Sequence, residues 1–270
     1  MRGARSVSVR LGAAAIWVSA ALTAVHCGSD VVSNSPNTPP VALRTTNGLT
    51  GAFVATDGPA SVPPGSTVRL TAPGFLLRET TVPASGAVTL WPNTVNDAFV
   101  RSIVYTTEQP YLTRWERSVV TVSPLFPASV LEAVNGLQLV RLDAVSGRTP
   151  DIDLVIDAAQ LPSASTVGLT RADLAAGSLS RITIILRSDA ELARQTVVHE
   201  LGHALGLFGH SPRRSDVMHA TSFDASWFTA DEIGLLTMMY KHRRVGNTFP
   251  DADAHLPARA MSRRTVVIVD

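Results

Sequence analysis

His199-Glu200-Leu201-Gly202-His203 and, a few residues on, Gly206 and His210 concentrate three imidazoles and one carboxylate in a short stretch. On a helix, His199 and His203 stand one turn apart on the same face. Two imidazoles so placed both reach one Zn²⁺ ion at about 2.0–2.1 Å. Glu200 adjoins them and can touch a water on the metal without ligating it. Gly206 can take the left-handed conformation of a sharp helix exit, so the chain can return and offer His210 as a third nitrogen. Three protein ligands leave a fourth position for water, as a catalytic zinc requires. Chance also puts two histidines on surface helices. Here the flanks Val197, Val198, Leu201, Ala204 and Leu205 are apolar, and histidines buried among them need partners.

Several elements must position these residues. Ser188 with Glu191 reads as a capping box opening a helix that runs to about Gly206. A second box, Thr229 with Glu232, opens a last helix with Ile233, Leu236, Met239 and Tyr240 on one face. Strands are expected at Val119–Val122, at Ile152–Ile156, near Thr166–Thr170 and at Arg181–Leu186, the last apolar enough for a sheet interior. A short helix is expected from Pro127 to Asn135, ended by Gly136. Upstream, Thr67–Thr71 and Ala87–Leu90 alternate like half-buried strands between Pro-Gly and Asp-Gly turn signals. The expected class is therefore α+β. Its expected units are an export signal at 1–27, a flexible tether at 28–42, a small β-module at 43–92, a main domain at 93–250 and a tail at 251–270.

The run HELGHALGLFGHS resembles the metzincin signature, and most that of matrixins and related bacterial enzymes. Ser215 to His219 resembles the Met-turn, with Met218 as the methionine under the metal. Phe228 through Tyr240 is similar to the helix that follows that turn. The resemblance spans roughly residues 110 to 245. It implies a zinc endopeptidase with a mostly parallel twisted sheet, an active-site helix, a C-terminal helix and a cleft between two subdomains. In it Glu200 is the general base and His199, His203 and His210 hold zinc. The order of elements also suggests Val167-Gly168-Leu169 as an exposed strand edge onto which a substrate backbone could add. The chain departs from the pattern at one point. The usual spacing puts the third ligand at Gly209, so His210 comes one residue late, and one extra residue in the turn accounts for it. Asp216 and His219 are the nearby substitutes. Met218 reads equally as a packing methionine. Trp115 and Trp227 read as core. Asp251 and Asp253 could meet calcium or simply stay solvated.

The rest of the chain bounds the setting. A formal net charge of +1 argues against nucleic acid as a partner. Arg2, Arg5 and Arg10 precede an uncharged run from Leu11 to Val25, which reads as an export signal, an uncleaved anchor being the alternative. Cys27 is the single cysteine, so no intramolecular disulfide can form, and no cysteine is left to block the zinc of a proenzyme. Its position resembles the acceptor of bacterial lipoprotein signals, although His26 departs from the small residue usual there. Lipidation at Cys27 and simple secretion both follow from this reading. The expectation is an extracytoplasmic, monomeric zinc metalloendopeptidase, an outer-membrane lipoprotein or a secreted enzyme, acting on a protein or peptide. A retired, surface-anchored binding protein and a zinc amidase acting on cell wall are the alternatives. The Met-turn and third histidine favour a peptidase, and Glu200 argues against a retired site. Mass spectrometry of the native protein is expected to find a chain starting at or just before Gly28, and an intact Met1 would refute the export reading.

Overall fold

The computed structural model describes residues 31–32, 38–193, 195–221, 224–248, 256–257 and 261–270. The export segment and Cys27 lie outside them, as do Asp251, Asp253 and His255. Among the described residues, no helix is long and apolar enough to cross a membrane.

The strands are β1 (Val31–Val32), β2 (Val41–Ala42), β3 (Arg44–Asn47), β4 (Ser61–Val62), β5 (Thr67–Leu70), β6 (Arg78–Thr81) and β7 (Ala87–Leu90). Helix α1 (Asp97–Ile103) follows, then β8 (Val119–Val122), α2 (Ala128–Gly136), β9 (Arg141–Ala144), β10 (Ile152–Ile156), β11 (Gly168–Ala175) and β12 (Ser178–Leu186). Helices α3 (Gln195–Ala204) and α4 (Ala230–Thr237) and strand β13 (Arg264–Val269) complete the chain.

The first seven strands form small sheets around a cluster of their own that includes Val62, Val68, Leu70, Val88 and Leu90. Two parts of the expected tether belong to these pairings. Val31–Val32 joins β5 and Val41–Ala42 joins β4, so the ordered β-structure begins earlier than residue 43. An Arg78–Asp97 ion pair and a bond from Trp91 Nε1 to Asp97 tie this part to α1.

The main sheet has the order β13-β11-β12-β10-β8-β9. Strands β12, β10, β8 and β9 run parallel, while β11 is antiparallel to both of its neighbours. The alternation at Ile152, Leu154 and Ile156 gives β10, and the apolar run from Arg181 gives the interior strand β12, whose Ile182, Ile184, Ile185 and Leu186 are fully buried. A two-residue loop, Ala176-Gly177, joins β11 to β12 with both residues at positive φ (51° and 83°). That backbone twist suits a tight antiparallel hairpin. The expected tail at 251–270 is not separate from the domain. Its last stretch, Arg264–Val269, is the edge strand of this sheet.

Helix α3 starts later than the capping-box reading places it. A 3₁₀ turn covers Asp189–Ala193, and the Ser188–Glu191 backbone bond closes that turn instead of opening the helix. Glu191 accepts a hydrogen bond from Thr196 Oγ1 at 2.8 Å. At α4 the sequence reading and the fold agree: Thr229 and Glu232 form a reciprocal capping box. The Glu232 carboxylate does more than cap. Its Oε2 accepts from Thr229 N at 2.7 Å, and its Oε1 accepts from Met218 N at 2.8 Å. Glu232 is fully buried, and that burial pushes its carboxyl upward against the hydrogen bonds that hold it down. Glu232→Ala removes the cap and leaves the buried Met218 N–H and the part-buried Thr229 N–H without their acceptor, which is expected to cost roughly 2–4 kcal/mol. Thermal unfolding of the variant beside the parent protein checks this.

Candidate metal centre

Helix α3 carries His199, Glu200 and His203 with no exposed surface at any of the three. It ends in a Schellman turn. The Leu207 N–H bonds the Gly202 carbonyl at 3.0 Å, and the Gly206 N–H bonds that of His203 at 3.0 Å. Gly206 sits at φ +108°, and a Cβ there would also overlap the Thr113 carbonyl oxygen. The last helix carbonyls are met from outside, Ala204 by Trp115 Nε1 at 2.9 Å and Leu205 by the Tyr240 hydroxyl at 3.0 Å. Trp115, expected to be core, is thus buried and also seals the helix end.

The turn before His210 is held by a tertiary contact. Gly209 passes so close to α1 that a Cβ would overlap the Ser102 carbonyl oxygen, and the Gly209 N–H bonds the Ile103 carbonyl at 3.0 Å. A glycine lets the longer turn dock against α1, and His210 then faces the two helix histidines. Its ring centroid lies 5.3 Å from that of His199 and 5.1 Å from that of His203.

Both helix imidazoles are oriented from behind. His199 Nδ1 lies 2.6 Å from the Val217 carbonyl oxygen, and His203 Nδ1 lies 2.5 Å from that of Leu207. A carbonyl oxygen only accepts, so each Nδ1 carries the proton and donates. In the neutral rings each Nε2 then turns a lone pair inward. The two Nε2 atoms are 3.1 Å apart. That is close to the edge of roughly 3.3 Å expected between two ligands on a tetrahedral centre at about 2.0–2.1 Å. Burial pulls His203 down, which favours the neutral ring, with partial opposition from Asp270.

A fourth group completes the cluster. Among the described residues, His199, His203, His210 and Asp270 could together hold a metal ion, their ligand atoms all lying within 4.8 Å of one another. Asp270 Oδ1 is 2.5 Å from His210 Nε2 and 3.1 Å from His199 Nε2, and Oδ2 is 3.4 Å from His203 Nε2. Burial pushes the Asp270 carboxyl up, but the three imidazoles outweigh it and hold the group well below the carboxylate range. Glu200 goes the other way. Its burial and the neighbouring Asp270 charge push it well above the carboxylate range, while the Thr170 hydroxyl, 2.5 Å from Oε2, offsets part of this. Glu200 Oε1 and Asp270 Oδ2 are buried without a hydrogen-bond partner. The inward lone pairs of His199 and His203, with His210 Nε2 and the Asp270 carboxylate beside them, form a set of ligand atoms that could hold a metal ion.

The sequence reading brought His199, Glu200, His203 and His210 to one place, and they are in one place. Asp216 and His219, the substitutes it considered, are engaged elsewhere. Asp216 accepts from Ser211 Oγ at 2.6 Å, and His219 Nδ1 accepts from Thr221 N at 3.2 Å. Met218 is fully buried under Gly202, where a Cβ would overlap its sulfur. The segment Asp216–Met218 therefore supports α3 and also supplies the Val217 carbonyl to His199. The sequence reading does not place Asp270 at the centre, and it marks Thr170 and Gly168 only as strand residues, not for their contacts with Glu200, whose Oε1 a Cβ at Gly168 would overlap. For Asp270 the signal was the β-branched run Thr265-Val266-Val267-Ile268-Val269 just before it. The expected exposed edge at Val167–Leu169 is corrected: β13 pairs along β11 and covers it.

Comparison with protein-family models gives no match, and a search of curated proteins likewise gives none. Gly209→Ala is expected to destabilise the protein by roughly 1–3 kcal/mol through overpacking against α1. Gly136→Ala, which meets open space at the end of α2, is expected to be neutral or slightly stabilising. Denaturant titration of the pair separates a packing effect at Gly209 from a general effect of losing a glycine.

Proposed function

We propose that the protein is a zinc-dependent endopeptidase of the matrixin-like metzincin kind, acting outside the cytoplasm. The observation that carries the reading is the convergence of three imidazole Nε2 atoms beside the buried carboxylate of Glu200. His199, His203 and His210 would hold the ion. Zinc bound there supplies Lewis acidity, drawing the pKa of a water towards about 7 and polarising a carbonyl.

The chain's own residues do the remainder. Glu200 takes the proton from the attacking water and delivers it to the leaving amine. Burial and the neighbouring Asp270 charge raise its affinity for a proton, in the direction a base needs. The Thr170 hydroxyl fixes Oε2, which leaves Oε1 as the face that meets water. Main-chain groups of β11 offer a scissile peptide an antiparallel ladder once that edge is open.

Metal analysis of protein expressed with ample zinc is expected to find about one zinc per chain. Glu200→Ala is expected to keep that zinc and lose hydrolysis of casein. His210→Ala should weaken zinc binding and abolish hydrolysis, whereas His219→Ala should leave zinc in place. Near-normal activity of Glu200→Ala, or no bound transition metal in the parent, would refute the reading.

A further inference from the structure

Strand β13 lies where a substrate is expected to lie. It runs antiparallel to β11 in continuous register, from Leu174 opposite Arg264 to Leu169 opposite Val269. The ladder continues past the strand. The Asp270 N–H bonds the Gly168 carbonyl at 3.2 Å, and the Val167 N–H bonds the Asp270 carbonyl at 3.1 Å. These are the backbone groups of the edge read from the sequence as a docking rail.

The side chains divide by face. Val266 and Ile268 pack on the main core, while Val267 and Val269 face outward, about half exposed. Thr265 Oγ1 donates to Asp173 at 2.6 Å, and Arg264 bonds the Glu108 carbonyl at 3.2 Å. This anchoring aims Asp270 into the centre, where its side chain is 1% exposed. Beside it lies a cavity of about 700 Å³, lined by Asp270, Thr166, Glu191 and Thr221 among others and by none of the three histidines.

We propose that β13 and Asp270 are a built-in blocker: the strand fills the peptide-binding edge of β11, and the Asp270 carboxylate takes the fourth ligand position at the three histidines. The inference rests on the peptidase reading for its substrate edge. The blocker's own chemistry, an extended peptide that ends its ladder on a carboxylate, is independent of any turnover. Because the strand is tethered, its effective concentration at the edge is on the order of millimolar, enough to exclude weak peptide ligands. Displacing or cutting the strand would free both the rail and the fourth position at once.

The test compares the zinc-loaded parent chain, the full-length Asp270→Ala variant and a form lacking residues 264–270. The probe is a fluorescently labelled heptapeptide, Arg-Thr-Val-Val-Ile-Val-Asp, read by anisotropy. The shortened form is expected to bind the probe, and the parent to bind it on the order of tenfold or more weakly. The same heptapeptide with Asn in place of Asp should bind the shortened form less tightly. In the full-length Asp270→Ala variant, which keeps the strand, a chelator is expected to strip zinc several-fold faster than in the parent. Casein hydrolysis should rise in the shortened form, whose edge is open. Equal probe binding by the parent and shortened forms, or unchanged zinc-stripping in Asp270→Ala, overturns the proposal. Should the shortened form misfold, the stripping rate of Asp270→Ala decides alone. Selective probe binding without any casein hydrolysis sustains the blocker and refutes the peptidase reading instead.

Discussion

Two hydrogen bonds to main-chain carbonyls set the aim of the histidine centre. His199 Nδ1 donates to Val217 and His203 Nδ1 to Leu207. Such bonds fix the tautomer and the ring plane together, and so decide which nitrogen faces inward. Neither carbonyl belongs to a helix or strand. The first lies just before Met218, and the second lies at the exit of α3, so both depend on turns being held in place. In those turns glycine is a steric requirement. Gly206 gives the exit its left-handed turn, and Gly202 leaves room for the Met218 sulfur beneath the helix.

The dependence then spreads outward. Met218 hangs from Glu232, which also caps α4, so the first turn of that helix and the floor of the centre share one carboxylate. On the opposite side, β11 closes over Glu200. Thr170 holds one carboxylate oxygen, and Gly168 yields the space that the other occupies. A buried carboxyl flanked in this way has no freedom to swing towards solvent. Its raised proton affinity follows from that confinement together with the charge of Asp270.

Much of this was legible in the sequence because it is local. The spacing of His199 and His203, the cap at Thr229 and Glu232, and the apolar alternation of β10 and β12 each act over a few residues. The one-residue delay at His210 was legible as a departure, but its reason was not. Gly209 is needed because Ser102 of α1 lies against it, a contact between segments about a hundred residues apart. Helix α3 was read as starting too early because Ser188 and Glu191 have the right spacing for a capping box. Glu191 bonds Thr196 in the fold, and a tertiary partner outweighed the local pattern. Asp270 stayed hidden for the opposite reason. A lone carboxylate after a valine-rich run carries no spacing signal, and only strand pairing with β11 brings it to the histidines.

The coordination count gives Asp270 its meaning. The inward face of the centre brings together the lone pairs of His199 and His203, the His210 Nε2 and the carboxylates of Asp270 and Glu200. Such a face is unstable unless protons or a cation enter it, and burial opposes the proton on His203. A metal ion bound by the four groups would meet these acceptors together. With Asp270 in place the set is three histidines and a carboxylate, four ligands, which is the closed arrangement of a structural zinc. Without it the set is three histidines and an open position, the arrangement of a catalytic one. Under the proposed reading, the same residues on α3 and the following turn fit both arrangements, and the position of one edge strand distinguishes them. Among the described residues β13 pairs on one side only and its outward valines are about half exposed, so its ladder to β11 and the packing of Val266 and Ile268 hold it in place.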